Sequence, residues 1–166
     1  MKKLLFLLLI VTAVSCNEKD EPLASSNNLE QFNLVQASDF PIDGTVSIAD
    51  RADGQVEIII NIKGTEGSIQ HPAHLHYGDV SNPDAEVALV LTPVLGSTGE
   101  SITLVSALNN EQSITYEDLH TFNGHIKVHQ DNGPNKNIIL AAGNIGSAFT
   151  KNGNTGRQEI AVCKSE

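Results

Sequence analysis

The sequence predicts an all-β protein of about eight short strands, of the kind that forms a sandwich or a barrel. Apolar and β-branched residues alternate with polar ones in short runs, and 55–62 is the clearest of these. Turn residues such as Asp53-Gly54 separate the runs. No long segment has the apolar spacing of a helix, so we expect strands joined by turns and little else.

The predicted strands follow one another along the chain. Successive side chains of a strand point to opposite faces, so Val56, Ile58, Ile60 and Ile62 share one face of the second strand. One short helical turn is expected over 115–119, with Thr115 as its N-cap. The predicted strands are 44–49, 55–62, 73–77, 86–91, 101–105, 124–129, 138–142 and 158–162.

The N-terminus has the features of a secretory signal. Met1-Lys2-Lys3 is basic, and the apolar run 4–14 is too short to span a bilayer. The small residues before Cys16 resemble a bacterial lipobox, in which the cysteine is lipidated; an ordinary signal with a chance cysteine is the alternative. We expect an extracytoplasmic protein, lipid-anchored to the outer membrane or cell surface, that consists of a signal peptide over 1–15, a flexible linker over 16–28 and one domain over 29–166.

The composition limits the class of partner. Loss of Lys2 and Lys3 with the signal leaves 8 basic and 20 acidic residues, a net charge of about −12. This acidity argues against nucleic acid, which needs a basic surface, and is compatible with a cationic ligand. If Cys16 is lipidated, Cys163 is the one remaining thiol, so no disulfide within the chain is expected.

The main chemical signal is the group of three histidines in His71-Pro-Ala-His-Leu-His-Tyr-Gly78. His74 and His76 share a face of the predicted strand, with Cα atoms roughly 6.5 Å apart. Two imidazoles placed in this way can converge on one metal ion. His71 lies at the start of the strand and is a candidate fourth ligand.

The other three histidines lie between 120 and 129. His125, Lys127 and His129 form the polar face of a predicted strand, and His129 is the candidate third ligand if the two strands are neighbours. His125 is less favoured because it lies roughly 13 Å from His129 along the strand. His120 is less favoured as well. For any single histidine, a surface or hydrogen-bonding role is the ordinary alternative.

A cluster of imidazoles without thiolates or nearby carboxylates suits copper or zinc better than calcium or magnesium. Other catalytic signatures are missing from the sequence, including the Gly-x-Ser-x-Gly elbow, the phosphate-binding glycine loop and the His-Glu-x-x-His zinc motif. The candidate metal ligands are therefore His74, His76 and His129, with His71 as a fourth and with His125 and His120 less favoured.

Two segments resemble copper/zinc superoxide dismutases. His74-Leu-His76-Tyr-Gly-Asp79 is similar to their copper-binding strand, and Gly124-His-Ile-Lys-Val-His129 followed by Ile139-Leu-Ala-Ala-Gly-Asn-Ile-Gly146 is similar to their C-terminal half. The same segments also resemble chordin-type (CHRD) domains. The resemblance implies a Greek-key β-sandwich in which His74, His76 and His129 match three copper ligands.

The chain departs from the dismutase pattern at several positions. No histidine lies between His76 and His120, where the dismutase zinc ligands are expected, so a zinc subsite is not expected. Ile139 stands in place of the arginine that attracts superoxide, and Ala142 stands in place of a disulfide cysteine. An acidic chain without that arginine lacks the positive funnel that steers the anion.

These features favour an envelope lipoprotein that binds one copper ion for sequestration, delivery or protection, with zinc as the less favoured metal. Two alternatives follow from the same residues. One is a copper-only superoxide dismutase, which leaves enzymatic activity an open question. The other is a CHRD-type structural or interaction module whose histidines bind no metal. The expected partners are a metal ion and, through Cys16, a membrane. The sequence does not indicate a protein partner.

Overall fold

The computed structural model describes residues 28–151, and of Lys151 only its backbone. The predicted signal peptide, the predicted lipidation site Cys16, nearly all of the predicted linker, the predicted strand over 158–162 and Cys163 lie outside these residues. Within 28–151 the fold is all-β, as predicted, with eight strands and two short helices. Neither helix of this part of the chain is long and apolar enough to cross a membrane.

Seven of the strands correspond to predicted ones, and the first was not predicted. The strands are β1 (Leu29–Gln36), β2 (Asp43–Asp50), β3 (Val56–Lys63), β4 (Gln70–Tyr77), β5 (Val87–Leu95), β6 (Glu100–Val105), β7 (Asn123–His129) and β8 (Ile139–Ile145). The helices are α1 (Tyr116–His120), between β6 and β7, and α2 (Gly146–Lys151), after β8. α1 begins with the predicted cap, because Thr115 and Asp118 hydrogen-bond each other's backbone amides in a capping box.

All neighbouring strands are antiparallel, and the sheet closes on itself in the order β1-β2-β3-β6-β5-β4-β7-β8. Within this order β7-β4-β5-β6 has the connectivity of a Greek key, since three consecutive strands are followed by a fourth that returns beside the first. The connection also brings β4 and β7, which are far apart in sequence, into direct contact. The two predicted histidine strands are therefore neighbours.

The closed sheet is a barrel, and this differs from the expected sandwich of two separate sheets. Hydrogen bonding is narrow at two seams. β5 and β6 share the pair Leu95 with Glu100, and further along the seam the backbone of Thr92 bonds to the side chains of Thr103 and Ser101. β1 meets β8 through two pairs, Val35 with Ala142 and Gln36 with Ala141. The other neighbouring strands are joined by five or more residue pairs each.

The barrel interior is filled by the apolar side of each strand. The predicted inner face of β3 is confirmed, because Val56, Ile58, Ile60 and Ile62 are at most 5 % exposed. They pack with branched residues of the facing strands in one core. α2 covers one end of it, where the ring of Phe149 lies 5.1 Å from that of Phe32 in an edge-to-face contact.

Candidate metal centre

The candidate site lies on the outer face of β4 and β7. The register places His74 opposite Lys127 and His76 opposite His125, and residues directly opposite share a face. The inner face at this point carries Leu75 opposite Ile126, both fully buried. The strand period thus divides each strand cleanly, with aliphatic residues inside the barrel and the basic residues outside it.

This outer face is not a solvent-exposed surface. His76, His125, Lys127 and His129 are all at most 6 % exposed. Two connections, loop 78–86 between β4 and β5 and loop 130–138 between β7 and β8, supply backbone partners that cover the rings. A buried polar atom without a hydrogen-bond partner costs free energy, so it matters which ring nitrogens have partners.

The structure brings His74, His76 and His129 together. Each offers one ring nitrogen such that these atoms all lie within 4.8 Å of one another, and among the described residues this is the one such group of three. The ring centroid of His74 is 5.9 Å from that of His76 and 5.0 Å from that of His129. We refer to these three residues as the histidine site; its geometry could hold a metal ion.

Backbone carbonyls determine which ring nitrogen is free in two of the three imidazoles, those of His76 and His129. Nδ1 of His76 donates to Ala85 O at 3.0 Å, and Nδ1 of His129 donates to Lys136 O at 2.7 Å. A carbonyl oxygen can only accept, so Nδ1 carries the proton and Nε2 carries the lone pair. Nε2 of both rings is buried and has no hydrogen-bond partner. Two lone pairs are thus held ready for an electrophile such as a metal ion.

The surroundings also keep the imidazoles uncharged. Burial lowers the pKa of His74 to about 4, and the neighbouring His129 and His76 add to the effect. Burial likewise lowers the pKa of His76 to about 4, against the opposing effect of the hydrogen bond to Ala85. The pKa of His129 is lowered in the same direction, chiefly by burial. All three rings are neutral at pH 7, the form in which histidine binds metals.

The other three histidines lie outside this group. The ring of His125 stacks on that of His76 with centroids 5.0 Å apart, and its Nδ1 donates to Gly78 O. His71 donates from Nδ1 to Gln130 O at the other end of β4. His120 is on α1, where its Nδ1 lies 2.8 Å from a carboxylate oxygen of Glu30. His71, the predicted fourth ligand, is not a member of the group whose ring nitrogens all lie within 4.8 Å of one another.

Lys127 is a component of the site that the sequence analysis placed on the right face without assigning it a role. It lies opposite His74, two residues from both His125 and His129, and is fully buried. Its positive charge adds to burial in lowering the pKa of His76, His125 and His129. The alternation pattern identified its face, but a lysine on a polar face is ordinarily solvated, so the burial of Lys127 was not foreseen.

Two aspartates hold the covering loops in shape. The carboxylate of Asp131 accepts from the amides of Gly133 and Asn135 and from the Asn135 side chain, and this fixes the turn that presents Lys136 O to His129. The carboxylate of Asp79 accepts hydrogen bonds from Ser81 and from the side-chain amide of Asn144. The backbone amide of Val80 in turn donates to the side-chain oxygen Oδ1 of Asn144. In this arrangement the Nδ1 partners of His76, His125 and His129 are backbone carbonyls of the loops.

A cavity of about 740 Å³ opens over the histidine site. His74, His76 and His129 form part of its wall. The remaining wall comes from both loops and the adjoining strand ends, and it consists of Pro72, Pro83, Asp84, Ala85, Glu86, Val87, Asp131, Asn132, Lys136 and Asn137. A metal ion held by the three histidines would therefore lie beside a space accessible from outside.

Ile139 does not border this cavity. It is 3 % exposed and packs with Val80 and Ala142 in a small apolar cluster separate from the barrel core. The side chain of Ile139 thus packs against loop 78–86 through Val80. Among the described residues that line the cavity, Lys136 is the basic one besides the histidines.

Comparison of the chain with protein-family models, with curated proteins and with solved structures finds no match.

Proposed function

We propose that this protein binds one copper ion through His74, His76 and His129. The observation that carries the proposal is the convergence of the three imidazoles within 4.8 Å, with buried, unpartnered Nε2 atoms on His76 and His129. Leaving such atoms unsatisfied costs free energy of order 1–3 kcal/mol each. A bound ion would recover that free energy.

The donor set favours copper. Three neutral imidazoles with no thiolate or carboxylate in the group suit copper first and zinc second, and copper has the higher affinity of the two for nitrogen ligands. Lone pairs held in place by Nδ1 hydrogen bonds reduce the rearrangement that binding requires. Sequestration, delivery or protection against free copper at the cell envelope are the roles we assign to such a site.

The envelope location belongs to the proposal as well. It rests on the sequence of residues 1–16, where a basic start, an apolar run and Cys16 follow one another. A lipid on Cys16 would anchor the domain to a membrane through a polar segment of about ten residues. Labelling of cells with a palmitate analogue should mark the wild-type protein and leave a Cys16→Ala variant unmarked.

The decisive experiment is a copper titration of the purified domain. We expect one copper ion per chain for the wild type, and less than about a tenth of that occupancy for His74→Ala/His76→Ala at the same free copper concentration. His120→Ala is the matched control, because it removes an imidazole that lies outside the group and should keep full occupancy. A wild-type protein that stays free of metal after loading would contradict the proposal and favour the metal-free CHRD-type module.

The alternative is a copper-only superoxide dismutase, because the open cavity would let a small substrate reach the metal. Its test is superoxide turnover by the copper-loaded protein. Turnover well above that of the His74→Ala/His76→Ala variant would favour the enzyme. Turnover equal to that variant, with copper bound, would favour binding without dismutation.

A further inference from the structure

We propose that the cavity over the histidine site selects by charge: it admits copper as a cation or a neutral complex and disfavours anions, both as copper complexes and as small ligands of the bound metal. This inference rests on the proposed copper site and defines the chemical class of species that can reach it. The donor of copper to this protein would then be a cationic or neutral carrier.

The wall of the cavity carries the first observation. Asp84, Glu86 and Asp131 line it, against Lys136 as the one basic group besides the neutral histidines in the described wall. Asp84 and Glu86 are exposed and belong to loop 78–86, and the half-buried Asp131 belongs to loop 130–138. The carboxylates therefore come from both loops that border the opening.

The histidine site supplies the second, independent observation. His76 and His129 are 3 % and 6 % exposed, both line the cavity, and both have a buried Nε2 without a partner. These atoms are donors for an electrophile and cannot hydrogen-bond an anion while their Nδ1 atoms hold the proton. The acidic wall and the lone pairs of His76 and His129 therefore favour the same class of ligand, a cation.

The physical basis is electrostatic focusing. Charges of one sign around a cleft change the local concentration and the encounter rate of charged ligands by factors of about 10 to 1,000, and salt suppresses the effect beyond about 10 Å at 0.1 M. The path of an anion to the metal passes the same carboxylates that attract a cation. Neutralising these carboxylates should consequently slow the capture of copper from a cationic donor and strengthen the binding of an anion to the metal.

The test compares Asp84→Asn/Glu86→Gln with the wild type. Asp131 is left intact because its carboxylate also fixes loop 130–138. The rate of copper capture is measured with a cationic donor, copper(II) bis(ethylenediamine), and with an anionic one, copper(II) nitrilotriacetate. We expect the variant to take copper roughly 3- to 10-fold more slowly from the cation at low ionic strength, and faster from the anion. Comparing variant with wild type for each donor removes the intrinsic lability of the complex.

A second arm measures azide binding to the copper(II)-loaded protein by its absorption change. Neutralising Asp84 and Glu86 should tighten azide binding roughly 3- to 10-fold at low ionic strength, and the gain should shrink as salt is added. Lys136→Gln changes the cavity charge in the other direction and should weaken azide binding. The matched control is Asp43→Asn/Glu100→Gln, which removes two exposed carboxylates that do not line the cavity.

The outcomes separate the two proposals. If the wild type takes up no copper, the copper site fails, and this inference fails with it. If one copper ion binds and is lost in His74→Ala/His76→Ala, while Asp84→Asn/Glu86→Gln behaves like its control in both arms, the copper site stands and the charge selection is overturned. Opposite responses to the cationic and anionic donors, absent from the control, support it.

Discussion

His74, His76 and His129 converge because β4 and β7 pair in a register that places their polar side chains on one outer face. Alternation alone indicated that His74 and His76 share a face and that His129 lies on the polar face of its strand, and the structure places all three together. The free Nε2 atoms could not be predicted, because the carbonyls that fix them belong to irregular loops with no periodic pattern. Lys127 is fully buried as well, although a lysine is a residue type that is ordinarily exposed.

Lys127 offers a prediction at this scale. A fixed positive charge beside the imidazoles opposes a dication as it opposes a proton, so Lys127→Met should raise the affinity for copper(II) by roughly 3- to 10-fold. Methionine matches the length of the buried stem. The affinity is measured by competition with a chelator of known strength, and Lys63→Met, on β3, is the control with equal change in net charge. A lower affinity for copper(II) in Lys127→Met would contradict the repulsion.

At the scale of elements, the strands with strong alternation were predictable and β1 was not. In Leu29–Gln36 only Phe32 and Leu34 are buried, and four of the remaining six residues are polar, so the apolar alternation is short. Its strand conformation follows from six backbone pairs with β2, a long-range interaction that a local pattern does not reveal. α2 was missed for a similar reason, since a six-residue helix at the end of a strand has no second turn of apolar spacing.

Loop 130–138 is the element whose shape the site depends on most directly. Asp131→Ala removes the acceptor of three hydrogen bonds and should leave Lys136 O poorly placed for His129. Loss of such a supporting group typically costs metal affinity 10- to 100-fold. We expect a loss of about this size in a copper competition assay.

The matched control for this loop variant is Asp118→Ala, which removes the capping carboxylate of α1. It should lower the melting temperature, since a lost cap costs about 1 kcal/mol, and leave copper affinity unchanged. Equal affinities in the two variants would mean that loop 130–138 does not position His129.

At the scale of the whole molecule, the site makes the metal-free protein sensitive to acid. The pKa values of His74, His76 and His125 are lowered from 6.5 to about 4, chiefly by burial, so an unfolded chain takes up protons at a pH where the folded one does not. Stability is therefore complete above pH 6.5 and falls as the pH drops from about 6.5 to 4. The loss should be on the order of 3 kcal/mol for each of the three groups, since one pKa unit corresponds to about 1.4 kcal/mol.

Thermal unfolding in the presence of a chelator checks this expectation. The melting temperature should decline steadily between pH 7.5 and pH 4.5, and the decline should be shallower for His125→Gln, which removes one of the buried imidazoles. Copper should raise the melting temperature at pH 7.5 and have little effect at pH 4.5, where protons compete for the same nitrogens. A melting temperature that stays constant over this range would show that the buried histidines do not control acid stability.

The Greek-key connection that makes β4 and β7 neighbours has a topological consequence. The described residues 28–151 contain no cysteine, so no disulfide ties one of these eight strands to another. An ion bound by His76 and His129 would close a loop of about 50 residues, which in the chain-entropy description of cross-links is worth about 4 kcal/mol. Copper would then act as a reversible cross-link between β4 and β7, and its removal would leave the barrel without that cross-link.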